Sequence, residues 1–258
     1  MVRQFFSGFG GVAVLVSAGM GCGGGGGALI ADHDGGLVLT PIDASTSVTA
    51  DAHVDETTSD ATSDAPPSRF ITSVVSFTPG ACAGFIGPGG MPRVVYGPPV
   101  GYGSSEGSTD VVSLGKGGEI VVSFAPNAIM DGPGVDFIVF ENPFVEDGTT
   151  FLYAEPGEVS VSNDLETWST FPCTQTTQDA PYGQCAGVNP VFSNPDNDIS
   201  PFDTAHAGGD AYDLASLGVT QARYVRIRNI VTSETCPAGY DKYGFDLDAI
   251  AIVNPALR

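Results

Sequence analysis

The sequence predicts an all-β domain, from strand-like runs, frequent turn residues and the lack of a sustained helical pattern. β-Branched and aromatic residues recur in short runs, and Gly, Pro, Asn and Asp separate those runs. No apolar stripe of helical period is sustained along the domain. Many short strands divided by turn residues are typical of a β-sandwich.

The predicted strands follow one another from the start of the domain almost to the end of the chain. They cover residues 74–77, 119–124, 135–140, 158–162, 167–171, 223–229 and 247–253. The 158–162 segment alternates valine with serine, a pattern that places its valines on one face of a sheet. A single short helix is predicted over residues 210–217.

The chain divides into a domain and the segments that flank it. Residues 69–254 form one predicted domain, which is long enough to bury a substantial core. Residues 22–68 are rich in Ala, Ser, Thr, Asp and Gly and contain no aromatic residue, so they cannot bury enough apolar surface to offset the entropy of ordering. We predict a disordered acidic tether over 22–68, in which residues 29–30 and 37–39 are the only apolar clusters, and a C-terminal tail over 255–258.

Residues 1–21 have the features of an export signal. Arg3 precedes an apolar run of signal-peptide length, and small residues lead up to Cys22. The arrangement resembles a bacterial lipoprotein signal, which implies that Cys22 is lipidated and becomes the new N-terminus. The predicted location is the cell envelope, with the chain anchored by lipid to an outer-surface or periplasm-facing membrane. The alternative is an ordinary secretory signal, since Gly19 stands where lipoprotein signals usually carry leucine.

The charge balance restricts the classes of partner. The chain has 9 Lys and Arg against 30 Asp and Glu, a formal net charge of −21. Nucleic acid and anionic lipid surfaces would repel such a chain, so we predict no nucleic-acid partner.

Two segments resemble discoidin-like domains. Residues 158–168 (EVSVSNDLETW) resemble the hairpin in which a strand ends in a turn and a tryptophan, here Trp168, packs inside. Residues 222–227 (ARYVRI) resemble the strand that those domains carry near their C-terminus. The match departs from the pattern at Leu165, where glycine is usual.

A wider resemblance covers most of the domain. Residues 112–118, 131–137, 140–142, 208–214 and 244–249 together resemble a family of exported bacterial cell surface proteins. Both resemblances imply a galactose-binding-like jelly-roll sandwich, and neither implies an activity.

Four cysteines besides Cys22 predict two disulfides in an exported domain. Three pairings are possible. Cys173 and Cys185 flank a polar excursion, so we predict that they staple this loop, which leaves Cys82 to pair with Cys236.

Acidic residues are the candidates for chemistry, because carboxylates in Gly- and Pro-rich loops can bind Ca²⁺ through hard oxygen ligands. Discoidin-like folds often carry a structural Ca²⁺ held by loop oxygens and an acid in the terminal strand, so the resemblance implies a similar site here. Asp248 is the first candidate for that acid and Asp246 the alternative. The alternative for all the acids is that they cap turns. The predicted metal ligands are Asp131, Asp136, Asp210, Asp213, Asp246 and Asp248.

Tyrosines in loops indicate a second kind of site. Exposed aromatic rings stack on sugar faces, and Asp or Asn side chains hold the hydroxyl groups. Residues 236–243 lie just before the last strand, and we predict that Tyr240, Asp241 and Tyr243 contact a ligand.

The function predicted from these features is non-catalytic binding at the cell surface, to carbohydrate, with Ca²⁺ fixing the loops. A structural or adhesive protein that binds another surface protein is the alternative. An extracellular glycan hydrolase is a third hypothesis, because paired carboxylates also cleave glycosidic bonds.

Overall fold

The structure is a computed structural model that describes the backbone of strands 27–31 and 37–41, and residues 66–174, 181–230 and 243–258. The chain divides into two units, Met1–Ala61 and Thr62–Arg258. In the first unit, β1 (Gly27–Ala31) pairs antiparallel with β2 (Leu37–Pro41). These two paired strands lie within the predicted disordered tether, and each coincides with one of its apolar runs.

The second unit is nearly all β, as the sequence predicts. Its strands are β3 (Ser73–Thr78), β4 (Val112–Ser113), β5 (Glu119–Ser123), β6 (Ile129–Met130), β7 (Phe137–Phe140), β8 (Phe144–Val145), β9 (Leu152–Tyr153), β10 (Gly157–Ser162), β11 (Ser169–Thr170), β12 (Asp210–Tyr212), β13 (Gln221–Ala222), β14 (Tyr224–Asn229), β15 (Asp246–Leu247) and β16 (Ala249–Ile252). The 3₁₀ helices are Arg93–Val95 and Leu214–Leu217. The helix predicted over 210–217 is thus reduced to its second half, because residues 210–212 pair with β7 as a strand.

Two antiparallel sheets form the layers of the domain. Within the described residues, one sheet has the strand order β11-β10-β14-β5-β3 and the other has the order β12-β7-β16. Shorter two-stranded pairs, β13-β6, β15-β4 and β8-β9, lie outside these sheets. The jelly-roll connectivity that the resemblance implies stays a prediction.

The core lies between the two sheets and follows from alternation along the strands. Val225 and Ile227 of β14 are buried, whereas Arg228 on the opposite face is exposed. They share one apolar cluster with Phe137 and Val139 of β7. Ile138 of β7 belongs to a second, smaller cluster, so the three-stranded sheet is covered on both faces.

The C-terminal tail, residues 255–258, is attached to the domain by hydrogen bonds. The Ala256 amide donates to the Ala128 carbonyl at 2.9 Å, and the Leu257 amide donates to Asn127 Oδ1 at 3.0 Å. Neither 3₁₀ helix of the described residues is long and apolar enough to cross a membrane.

Trp168 does not lie in the core, contrary to the resemblance. Its ring is half-buried on the outside of the sheet, with the Arg226 guanidinium carbon 4.3 Å from the ring centroid. Its indole N–H donates to the Leu165 carbonyl at 3.2 Å. The cation–π contact and this hydrogen bond hold the ring at the surface.

Leu165 adopts the left-handed conformation, φ 67°, at the position where discoidin-like hairpins usually carry glycine. A residue with a Cβ is strained there by about 1–2 kcal/mol. We expect Leu165→Gly to be more stable than Leu165→Ala by about 0.5–1 kcal/mol, after the greater unfolded-state entropy of glycine is included. Both variants lose the exposed leucine side chain, so urea denaturation of the pair isolates the backbone effect. A more stable alanine variant would contradict the prediction.

Candidate functional site

Three carboxylates converge at one place in the domain. Glu141, Glu155 and Asp246 each offer a ligand atom, and these atoms lie within 4.8 Å of one another. All three line a cavity of about 590 Å³. We call this group the pocket carboxylates.

The strand ends bring these residues together from distant parts of the chain. Glu141 directly follows β7, and Glu155 lies in the link between β9 and β10. Asp246 begins β15, where it is paired with Ser113 of β4. Strand ends from different sheets therefore bring two buried acids and one half-buried acid together.

Hydrogen bonds orient one oxygen of each pocket carboxylate. The Asp246 amide donates to Glu141 Oε1 at 3.0 Å, and the Gly244 amide donates to Glu155 Oε1 at 2.6 Å. The Ser113 hydroxyl donates to Asp246 Oδ1. Gly244 needs its positive φ of 75° for this geometry, and a Cβ there would collide with the Asn229 side chain.

Glu141 gives the strongest indication that the pocket carboxylates bind a further group. The residue is only 3% exposed, and its Oε2 atom has no hydrogen-bond partner among the described residues. Burial, with the charges of Asp246 and Glu155 adding to it, raises the pKa of Glu141 well above its ordinary value. A buried carboxylate oxygen without a donor calls for a proton or a cation.

The rest of the cavity combines aromatic and acidic side chains. Phe144 of β8 is paired with Tyr153 of β9, and their rings stack with centroids 5.4 Å apart. Glu106 and Asp147 add two further acids, and none of the described residues that line the cavity is basic. The cavity is thus strongly negative, with an apolar ring pair in its wall.

A second acidic group contains three of the predicted ligands. Asp131, Asp136 and Asp213 also bring carboxylate atoms within 4.8 Å of one another. Asp136 is fully buried but accepts hydrogen bonds from the Gly132 amide at 2.8 Å, the Leu214 amide at 2.7 Å and Asn254 Nδ2 at 2.8 Å. Asp213 caps the 214–217 helix by accepting from the Ala215 amide at 2.9 Å. These contacts are those of structural acids.

Asp210 belongs to neither group. Its Oδ2 atom accepts from the Gly187 amide at 2.7 Å and the Val188 amide at 3.2 Å, and its Oδ1 atom accepts from Asn189 Nδ2 at 2.8 Å. Burial raises the pKa of Asp210 to about 7, although these hydrogen bonds act to lower it. Its role is to fasten the 187–189 loop.

Asp246 and Asp248, the two candidate acids near the terminal strand, lie in different surroundings. Asp246 joins the pocket carboxylates, whereas Asp248 lies between β15 and β16, where its Oδ2 atom accepts from the Val100 amide at 2.9 Å. Asp248 is not in either acidic group of the described residues. Burial raises the pKa of the Asp248 carboxyl well above its ordinary value.

The predicted ligand contacts are Tyr240, Asp241 and Tyr243, and the structure describes only the last of them. Tyr240 and Asp241 lie outside the described residues, so their predicted contacts stay a prediction. Tyr243 is 3% exposed, so it presents no ring face on which a sugar could stack. Its backbone is also fixed, because the Gly115 amide donates to the Tyr243 carbonyl at 2.8 Å.

The cysteines agree in part with the predicted framework. Cys173 and Cys185 form a disulfide across the 173–185 loop. Cys82 is also disulfide-bonded, and because Cys236 lies outside the described residues, the pairing of these two cysteines stays a prediction. Cys22 lies outside the described residues as well.

Two of the three pocket carboxylates were missing from the predicted ligand set. Glu141 is visible in the sequence only as the acid that ends a predicted strand. Glu155 has a weaker signal: it stands between Ala154 and Pro156, two residues before β10. An acid between an apolar residue and a Pro-Gly turn sequence just before a strand was the available sign.

The fold and the cavity define an all-β, sandwich-like domain with an acidic pocket formed at strand ends. No protein-family model matches the chain. No curated protein matches it either.

Proposed function

We propose that this chain is an exported, lipid-anchored, non-catalytic binding protein of the cell surface, and that its domain binds Ca²⁺ at the pocket carboxylates. The observation that supports the cation site most directly is Glu141 Oε2, a buried oxygen that has no donor among the described residues and lies beside two further carboxylates. A divalent cation would neutralise the mutual repulsion of the three acids and occupy the position that no donor fills.

The donor set favours Ca²⁺ over other metals. All three groups are carboxylates, which are hard oxygen ligands, and the group contains no histidine or cysteine that would favour zinc. The acids come from loops and strand ends, and Ca²⁺ accepts such irregular geometry more readily than Mg²⁺, which requires a near-ideal octahedron.

The anchor and the ligand complete the proposal. The signal-like segment 1–21 and Cys22 support attachment to a membrane outside the cytoplasm, which mass spectrometry of an acylated N-terminal Cys22 tests. Carbohydrate is the ligand class that we propose, because the cavity combines an aromatic ring pair with hydroxyl-binding acids. A second surface protein is the alternative partner.

Titration of the chelator-treated chain with Ca²⁺ tests the cation site. We expect Ca²⁺ to raise the free energy of unfolding by about 2.7 kcal/mol at a hundredfold excess over the dissociation constant. Glu141→Gln should abolish this rise. In chelator the same variant should be more stable than the parent by roughly 1–2 kcal/mol, because its amide can donate to the neighbouring carboxylates.

Asp213→Asn is the matched control, because Asp213 lies in the other acidic group. It should leave calorimetric Ca²⁺ binding unchanged. Loss of binding in this control but not in Glu141→Gln would move the cation to the Asp131–Asp136–Asp213 group, and no Ca²⁺ uptake by the parent chain would overturn the proposal.

The hydrolase hypothesis uses the same acids and is separable by experiment. The raised pKa of Glu141 beside a second carboxylate is also the arrangement of an acid and a base in glycoside hydrolysis. Turnover of glycans by the chelator-treated chain, inhibited by Ca²⁺ and lost in Glu141→Gln, would favour this hypothesis over non-catalytic binding.

A further inference from the structure

We infer that the cation in this pocket grips a ligand directly. The ligand is a neutral saccharide whose adjacent hydroxyl groups complete the coordination of the cation and whose ring packs on Phe144 and Tyr153. The inference rests on the cation site of the proposed function, and it adds how the ligand is held and which charge class it has.

The pocket carboxylates leave the coordination of a Ca²⁺ ion incomplete. Ca²⁺ takes six to eight oxygen ligands. One oxygen of each acid already accepts a hydrogen bond, from the Asp246 amide, the Gly244 amide or the Ser113 hydroxyl. If each acid contributes one oxygen, roughly half of the coordination positions remain for water or ligand.

Those positions have room for a ligand, because the carboxylates line an open cavity. Its volume of about 590 Å³ lies within the range of small-molecule sites. A structural Ca²⁺ site has no need of such a space. Adjacent hydroxyl groups of a sugar offer paired hard oxygens at a spacing that one cation can bind.

The aromatic pair supplies the second contact. Phe144 and Tyr153 lie opposite each other on β8 and β9, stacked at an interplanar angle of 26°, and both line the cavity. Their position on one short hairpin places a rigid apolar surface in the wall of the cavity that holds the cation. The C–H face of a pyranose ring packs on such a surface while its hydroxyls point to the cation.

Charge selects the class of saccharide. Five acids line the cavity: Glu106, Glu141, Asp147, Glu155 and Asp246. A bound divalent cation offsets two of their negative charges, so the occupied pocket remains negative and repels uronates and other anionic sugars. A neutral polyol pays no such penalty and can still displace water from the cation.

Calorimetry on the whole chain tests the inference, with methyl glycosides of galactose, mannose and fucose as neutral probes. Galacturonate is the anionic probe and choline the cationic one. We expect at least one neutral glycoside to bind in Ca²⁺ and to lose at least tenfold in affinity in chelator. Galacturonate should bind at least tenfold more weakly than the best neutral glycoside.

Variants separate the ligand contact from the cation contact. Tyr153→Ala should weaken the glycoside at least tenfold and leave Ca²⁺ affinity unchanged. Phe144→Leu, a milder change in the same pair, should act in the same direction. Phe151→Ala is the matched control, because Phe151 lies between β8 and β9, is 43% exposed and does not line the cavity; it should change neither affinity.

The results of these experiments distinguish failure of the saccharide inference from failure of the cation site. Normal Ca²⁺ uptake without binding of any neutral glycoside overturns the inference and leaves the cation site standing, as does equal glycoside affinity in chelator. Preference for galacturonate, or choline binding that Ca²⁺ does not abolish, also overturns it. A chain that takes up no Ca²⁺ removes the cation site itself.

Discussion

Asp136→Asn is expected to lower the free energy of unfolding by about 3 kcal/mol, although it changes one atom of a side chain. Oδ1 of Asp136 accepts from the Gly132 amide and Oδ2 accepts from the Leu214 amide. An asparagine has one acceptor oxygen, so its NH₂ group must face one of two backbone donors that cannot turn away. The site is fully buried, and water cannot relieve the conflict.

Asp213→Asn is the control for this prediction. Asparagine caps a helix as well as aspartate does, so the Ala215 amide keeps its acceptor and stability should change by less than about 0.5 kcal/mol. Urea denaturation in chelator and in Ca²⁺ measures both variants. If Asp136→Asn had the same free energy of unfolding as the parent, the three hydrogen bonds to Asp136 would not be what stabilises this part of the domain. A Ca²⁺-dependent loss in both variants would instead identify the second acidic group as a cation site.

Features of the structure that depend on a local sequence pattern could be predicted from the sequence. The strands could be predicted because alternation is local: Val225 and Ile227 are buried on one face, and Arg228 on the opposite face is exposed, as the pattern requires. The Cys173–Cys185 disulfide was predictable for a similar reason, because both cysteines bound one loop.

The candidate site was less predictable, because its residues meet through long-range pairing. Glu141 and Asp246 are 105 residues apart, and their contact depends on how β7 and β15 are placed. Asp210 and Asp246 look alike in the sequence, as acids beside strand residues. What distinguishes them is the partner: three N–H donors surround Asp210, whereas two other carboxylates face Asp246.

The resemblance helped at one residue and misled at another. Leu165 takes the left-handed conformation that glycine usually supplies in the hairpin, so the turn is kept in spite of the substitution. Trp168 follows the same turn, but Arg226 holds its ring at the surface rather than in the core. A tryptophan in a hairpin pattern does not fix which side of the sheet its ring covers.

The second large effect is a loss of stability as pH rises, caused by Asp210. Its pKa is about 7 in the folded chain because of burial, against about 3.9 in the unfolded chain. The folded chain therefore binds the proton more tightly. The stabilisation is complete below pH 4 and is lost as pH rises through 7, for a total of about 4 kcal/mol.

Asp210→Asn isolates this effect from those of the other buried acids. The asparagine oxygen can accept from the Gly187 and Val188 amides, and the exposed Asn189 side chain can turn to present its own oxygen to the new NH₂ group. The variant should therefore fold, should nearly match the parent near pH 4, and should exceed its stability by several kcal/mol at pH 8. Urea denaturation of both chains from pH 4 to pH 8 measures the difference.

Asp164→Asn serves as the control for the pH series. Backbone hydrogen bonds from Thr167 and Glu166 lower the pKa of the exposed Asp164, so this group titrates below the window in question. Its stability difference from the parent should stay constant between pH 5 and pH 8. A constant difference for Asp210→Asn as well would mean that the three donors keep Asp210 ionised in the folded chain, and that their hydrogen bonds outweigh the cost of burying its charge.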